Sequence, residues 1–195
     1  MLYRWLPWLL FFGVFSWTPA PQSKPSDRGA SRPFPLELIL RADRSMYRMS
    51  DTLRLETQLR NISNEDIYIW QWDLCWNPAR GLTMWIIGAD GKTVQGSFFA
   101  DCVPPPPRSG DPYQFVKVGP GNLYGLFEDL KLSEYLNKPG EYDIYATFNS
   151  FLSADFVTQF LGHDPISKLP LWTMERPTII SERIHITVNP EHNYR

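Results

Sequence analysis

The chain has 195 residues, 19 basic and 21 acidic side chains and a formal net charge of −2. That length suits one domain. The near-neutral balance, with no basic stripe and no acidic tail, argues against nucleic acid and against electrostatic attachment to a membrane. Aromatic residues make up 15% and prolines number 18, a composition that suits a loop-rich β protein better than a helical one.

The chain begins MLYRWLPWLLFFGVFSWTPAPQ, with Arg4 ahead of an apolar run from Trp5 to Phe15. A basic start, a short apolar segment and small residues beyond it are the anatomy of a signal peptide, expected over residues 1–20 with cleavage after Ser16 or Ala20. Pro21 directly behind the second position favours the first. An uncleaved anchor is the alternative, but the run is short for ~30 Å of hydrocarbon, and no transmembrane span is expected after signal removal. Residues 21–33, rich in Pro, Ser and charge, read as a disordered leader. The expected address is secreted or periplasmic. In such an oxidising compartment Cys75 and Cys102 are expected to form a disulfide, with two buried thiols as the alternative.

Strand signals begin at FPLELILRAD, where Leu36, Leu38, Leu40 and Ala42 alternate with Glu37, Ile39, Arg41 and Asp43. In DTLRLETQLRN, Leu53, Leu55, Thr57 and Leu59 face one way and Arg54, Glu56, Gln58 and Arg60 the other, the pattern of a half-buried strand. NISNED supplies turn residues, and Asn61-Ile62-Ser63 meets the glycosylation rule. IYIWQWDLCW predicts a third strand with both faces bulky: Ile67 and Ile69 on one, Tyr68, Trp70 and Trp72 on the other. LTMWIIGADGKTVQGSFF reads as a hairpin turning at Asp90-Gly91. The prolines of DCVPPPPRSGDP exclude a central strand there; PPPPR reads as a stiff surface loop. YQFVKVGPGNLYGLFEDL offers two short strands about Gly119-Pro120-Gly121, and KLSEYL a brief helical turn.

LNKPGEYDIYATF follows, a Pro-Gly corner running into a strand that alternates Tyr142, Ile144, Ala146 and Phe148. Residues 151–178 are too long for an ordinary strand connection; within them Ser153 is placed to cap a short helix through Leu161, ended by Gly162. IISERIHITV is the last strand, with Ile184, Ile186 and Val188 opposite Arg183, His185 and Thr187. The expected architecture is all-β. It is an antiparallel β-sandwich of about 7–9 strands over residues 34–190, with a long partly helical excursion before the last strand and a tail at 191–195. A closed barrel is the structural alternative.

The set Leu136, Pro139, Gly140 and Tyr142 resembles the tyrosine corner of immunoglobulin-like and fibronectin type III-like domains, and YRMSDTLRLETQLRN and SERIHITV resemble strands of bacterial secreted Ig-like modules. The resemblance implies that the Tyr142 hydroxyl bonds backbone a few residues upstream and braces the crossover between sheets. Antibody domains carry a cysteine two residues after this tyrosine, where this chain has Ile144, so a Cys75–Cys102 bridge would staple a loop region.

Chemistry-bearing motifs are sparse. His163-Asp164 is a His–acid neighbour pair that reads best as a turn after a helix, and Glu128, Asp129 and Glu134 read as solvated. No catalytic residue, metal ligand or cofactor is expected. The excursion is far more apolar than a solvated loop should be. Its Phe156, Phe160, Trp172 and Met174 are the candidate residues for contact with a protein or peptide, against the alternative that they fold back as a cap. Tyr68, Trp70 and Trp72 are a candidate aromatic platform for carbohydrate, against the alternative that they fill the core between the sheets, as a Trp on the third strand does in Ig-like domains. Because Ile67 and Ile69 occupy the opposite face of that strand, one face has to be covered by the excursion or left open. The reading is a non-catalytic secreted or periplasmic module, adhesive, inhibitory or accessory at the cell envelope, that binds protein, with carbohydrate binding as the alternative.

Overall fold

The structure is a computed structural model that describes residues 35–76, 81–96 and 105–191. The expected signal peptide and leader, Cys102 and residues 192–195 lie outside the described residues. No helix among the described residues is long and apolar enough to cross a membrane.

The chain is mostly β. Strands β1 (Leu36–Ala42) and β3 (Thr52–Asn61) pair antiparallel, and β3 pairs in turn with β8 (Leu123–Lys131). The second sheet runs in the order β2 (Met46–Arg48), β11 (Ile184–Asn189), β9 (Gly140–Asn149), β5 (Gly81–Gly88), β6 (Thr93–Gly96). Short β10 (Ile179–Ile180) also pairs with β9. Strands β4 (Ile67–Trp70) and β7 (Phe115–Val118) form a separate two-stranded ribbon. Among the described strands pairing is antiparallel except between β11 and β2, which run parallel. That pairing follows from the turn after β1. The Tyr47 hydroxyl donates to the Asp43 carboxylate at 2.7 Å and accepts the Arg44 N–H at 3.2 Å. The chain is thus pinned where it leaves β1 and crosses, as β2, to pair with β11.

Period-two alternation is realised as burial. Leu36, Leu38 and Leu40 of β1, Leu53, Leu55, Thr57 and Leu59 of β3, Tyr142, Ile144, Ala146 and Phe148 of β9, and Ile186 and Val188 of β11 are all buried. With Leu82, Met84 and Ile86 of β5, the apolar members of this set form one continuous core to which strands of both sheets contribute. The Asp90-Gly91 turn closes the β5–β6 hairpin, with Gly91 at φ 75° and its N–H donating to the Gly88 carbonyl at 2.9 Å; the left-handed position suits glycine.

Two sequence expectations need correction. More strands are present than the seven to nine expected, because short β2 and β10 add to the long ones. The predicted third strand stops at Trp70, and Gln71–Leu74 form a 3-10 turn. Trp72 therefore leaves the strand face that Tyr68 and Trp70 share. The buried Asp73 carboxylate takes the Ser150 hydroxyl at 2.5 Å and the Phe151 N–H at 2.6 Å, so this turn is the seat on which the excursion begins.

Asn61 is fully buried. Its side-chain amide donates to the carbonyls of Glu65 and Val118, each at 2.7 Å, while its oxygen accepts from the N–H and hydroxyl of Ser63. A buried amide with every group paired is a fixed part of the fold; here it ties the end of β3 to the end of β7.

Candidate functional site

The corner connects β8 to β9. Helix α1 (Leu132–Tyr135) ends β8. Leu136 is buried, and the chain turns through Pro139 and Gly140 into β9. The Tyr142 hydroxyl donates to the Lys138 carbonyl at 2.6 Å, and burial pushes the phenol up from its ordinary pKa, so it remains a donor. This is the hydrogen bond the corner resemblance implies.

The excursion forms the other feature. Helix α2 (Ala154–Leu161) begins at Ser153, whose hydroxyl accepts the Phe156 N–H at 3.1 Å; the Glu175 carboxylate accepts the Ala154 N–H at 2.9 Å. Two acceptors on the first-turn N–H groups make a well-anchored helix start. Gly162 ends the helix with right-handed backbone, φ −57°. Its use is close approach, since a Cβ there would lie 2.4 Å from the Thr158 carbonyl oxygen.

The excursion folds back. Residues 170–172 run along β4 on the side away from β7, with the Tyr68 N–H donating to Pro170 and the Trp172 N–H to Tyr68 at 2.8 Å. Ile67 and Ile69 enter the main core. On the opposite face Trp70, Phe115, Leu152, Leu161, Ile166 and Leu171 form a second buried cluster, flanked by Tyr68, Trp72, Val157 and Phe160. The covered-face alternative is thus the one the molecule adopts.

Of the proposed contact residues, Trp172 is 2% exposed and packs near Phe148 in the main core. Met174 is half-buried, its N–H donating to the Leu152 carbonyl at 2.8 Å. Phe160 is half-buried, and Phe156 is 44% exposed and stacks on it at 5.5 Å between centroids. The aromatic platform does not assemble as a flat open surface: Trp70 is 4% exposed, Tyr68 half-buried, and Trp72 sits on the turn.

What the cap leaves open is a groove of about 180 Å³ lined by Trp70, Pro105, Phe151, Leu152 and Phe156. A more polar cleft of about 220 Å³ adjoins it, sharing Trp70 and Pro105 and adding Trp72, Arg108, Asp111 and Gln114. The loop below is rigidly tied. The buried Gln114 amide donates to the carbonyls of Arg108 and Asp111 and accepts the Arg108 N–H, and Pro107 is buried. Sequence reasoning missed Pro105 and Phe151 as walls, because neither belongs to a periodic face.

Asp164 is a loop clamp. Its carboxylate accepts the N–H of Ile166 and of Gly110 and the Ser109 hydroxyl, and those backbone N–H groups hold its pKa below the ordinary value. His163 is exposed beside it. On the outer face of the second sheet His185 bridges Asp143 at 2.9 Å and Glu141 at 2.7 Å; these two carboxylates raise its pKa. No group of metal-ligating side chains is found among the described residues.

No family model matches the chain, and no curated protein matches it. Among solved structures the chain is similar to the CARDB domain of a Pyrococcus furiosus protein, solved in complex with di-metal ions. The identity is 10% and the TM-score 0.36, over 79% of this chain and 87% of that one. It is also similar to a b-glucosidase from Erythrobacter marinus, at 14% identity and TM-score 0.36 over 79% of this chain. A β-glucosidase from Listeria innocua in complex with isofagomine gives 9% and 0.35 over 80% of this chain. The match spans 15% and 16% of the two glucosidases. Likeness at these scores assigns neither family nor activity.

Proposed function

We propose that the chain is an exported, non-catalytic Ig-like β-sandwich that binds a protein or peptide through the groove beside α2. Supporting the fold reading, β1-β3-β8 and β11-β9-β5-β6 follow the neighbour order A-B-E and G-F-C-C′ of immunoglobulin sheets, with the tyrosine corner at the start of strand F. In that lettering the excursion is the F–G connection and β4 lies in the B–C connection, two loops that share one end of the sandwich. Export and a Cys75–Cys102 bridge belong to the same reading.

One observation carries the binding proposal. Phe156, 44% exposed, stands at the rim of an apolar groove on a helix anchored by two caps. A rigid aromatic at a concave apolar site is the anatomy of an interface anchor, since it gains large contact area while losing few rotors. A displayed random-peptide library provides the test. Peptides with aromatic or large aliphatic anchors are expected to be enriched on the wild-type chain and to lose binding to Phe156→Asp with its melting temperature preserved. Enrichment no greater than on an unrelated β-sandwich, or binding unchanged by Phe156→Asp, would sink the proposal.

A further inference from the structure

Strand β8 has β3 on one side, and no described strand pairs with its other edge. The Asn61 N–H donates to the Asn122 carbonyl at 2.9 Å and the Leu132 N–H to the Asp51 carbonyl at 3.1 Å, so the even-numbered residues turn their backbone groups toward β3. Antiparallel alternation then directs the N–H and C=O of Leu123, Gly125, Phe127 and Asp129 to the free edge. Side chains of these residues lie on the outer face, where Leu123 is 54% and Phe127 67% exposed. On the inner face Tyr124 and Leu126 pack against the core but stay half-buried. Sheets usually guard a long edge with charge, proline or a bulge. Here the charges begin at Glu128, and Leu123–Phe127 reads LYGLF, with neither charge nor proline.

From this geometry we propose that β8 is a homodimerisation edge: it pairs antiparallel with β8 of a second copy about a two-fold axis through Gly125. The two three-stranded sheets then become one continuous sheet. A two-fold contact has to be self-complementary, and this register is. Leu123 faces Phe127 of the partner subunit, Tyr124 faces the partner's Leu126, and Gly125 meets its own copy, so no cross-strand pair within Leu123–Phe127 contains a charged side chain. At the axis the Gly125 backbone exchanges both hydrogen bonds with its mate, with no side chain beside them. Glu128 and Asp129 fall opposite Asn122 and Gly121, which keeps like charges apart. Moving the axis to Phe127 would set Leu126 against Glu128 and desolvate a carboxylate without a partner. None of the groove residues lies on β8, so this surface and the Phe156 groove are tested separately.

Sedimentation velocity of the full chain over a range of concentration reads the association directly, with a species of twice 22.7 kDa expected to grow with concentration. Gly125→Lys places two ammonium groups face to face on the axis. Its new Cβ meets only Gln58 Cγ at 3.6 Å and the Thr57 carbonyl at 3.8 Å, so the fold is retained while association weakens by ~10-fold or more. Phe127→Glu is expected to do the same. Adding Leu123→Lys to Phe127→Glu is expected to restore the dimer, because positions 123 and 127 face each other only across the axis. Three outcomes overturn the proposal: a wild-type chain monomeric throughout, a dimer indifferent to Gly125→Lys, or a double variant that fails to reassociate.

Discussion

At the scale of single residues, the polar side chains that matter most each satisfy a backbone group that the local fold leaves over. Tyr142 takes the Lys138 carbonyl at the corner. Tyr142→Phe keeps the ring in the core and removes that bond, so it should cost about 1 kcal/mol. For a domain of this size that lowers the melting temperature by roughly 2–4 °C, measurable by calorimetry; an unchanged transition would count against the brace. His185 acts through charge. Its imidazolium is held between Asp143 and Glu141, which lifts its pKa above the ordinary 6.5. A raised folded-state pKa gives stability that is complete below the unfolded value and is lost as pH rises through the folded one. Urea midpoints should therefore fall in the wild type as pH rises from below the ordinary imidazole value through the raised folded-state one, and His185→Gln should flatten that slope. Equal slopes in the two proteins would remove His185 from the account.

At the scale of elements, the excursion divides into a part that is core and a part that is surface. Trp172 is buried against Phe148, whereas Phe156 stands on the rim of the groove. Trp172→Ala should cost about 3–5 kcal/mol through the cavity it leaves, while Phe156→Ser should change stability by less than about 0.5 kcal/mol. Chemical denaturation of both variants tests this, and comparable losses would mean that α2 is part of the cooperative core. The difference was not legible in the sequence, which shows both as aromatic residues of one apolar segment. The Ser153 cap was legible because capping is local: one hydroxyl, one N–H, three residues apart. The end of β4 was hidden for the opposite reason. IYIWQW is bulky at every position, so no change of period marks where the strand gives way to a turn, and only the Asp73 contacts to Ser150 and Phe151 decide it.

At the scale of the molecule, two apolar clusters sit back to back on β4, with Ile67 and Ile69 in one and Trp70 in the other. The alternation of β1, β3, β9 and β11 foretold the first, because a half-buried strand writes its inner face into every second residue. It could not foretell the partner of each strand, nor that β2 runs parallel to β11, since sheet neighbours are chosen by contacts far apart in the chain. The second cluster was foreseen only as a demand for cover, made by a strand apolar on both faces. Asn61 extends the point to biosynthesis. Both hydrogens of its amide are bound to carbonyls and the side chain is out of reach of solvent. An oligosaccharyltransferase could therefore modify Asn61-Ile62-Ser63 only on a nascent chain, before β3 and β7 meet. A glycan added then would bar that meeting, so a eukaryotic secretory host would divert part of its product into chains unable to reach this fold.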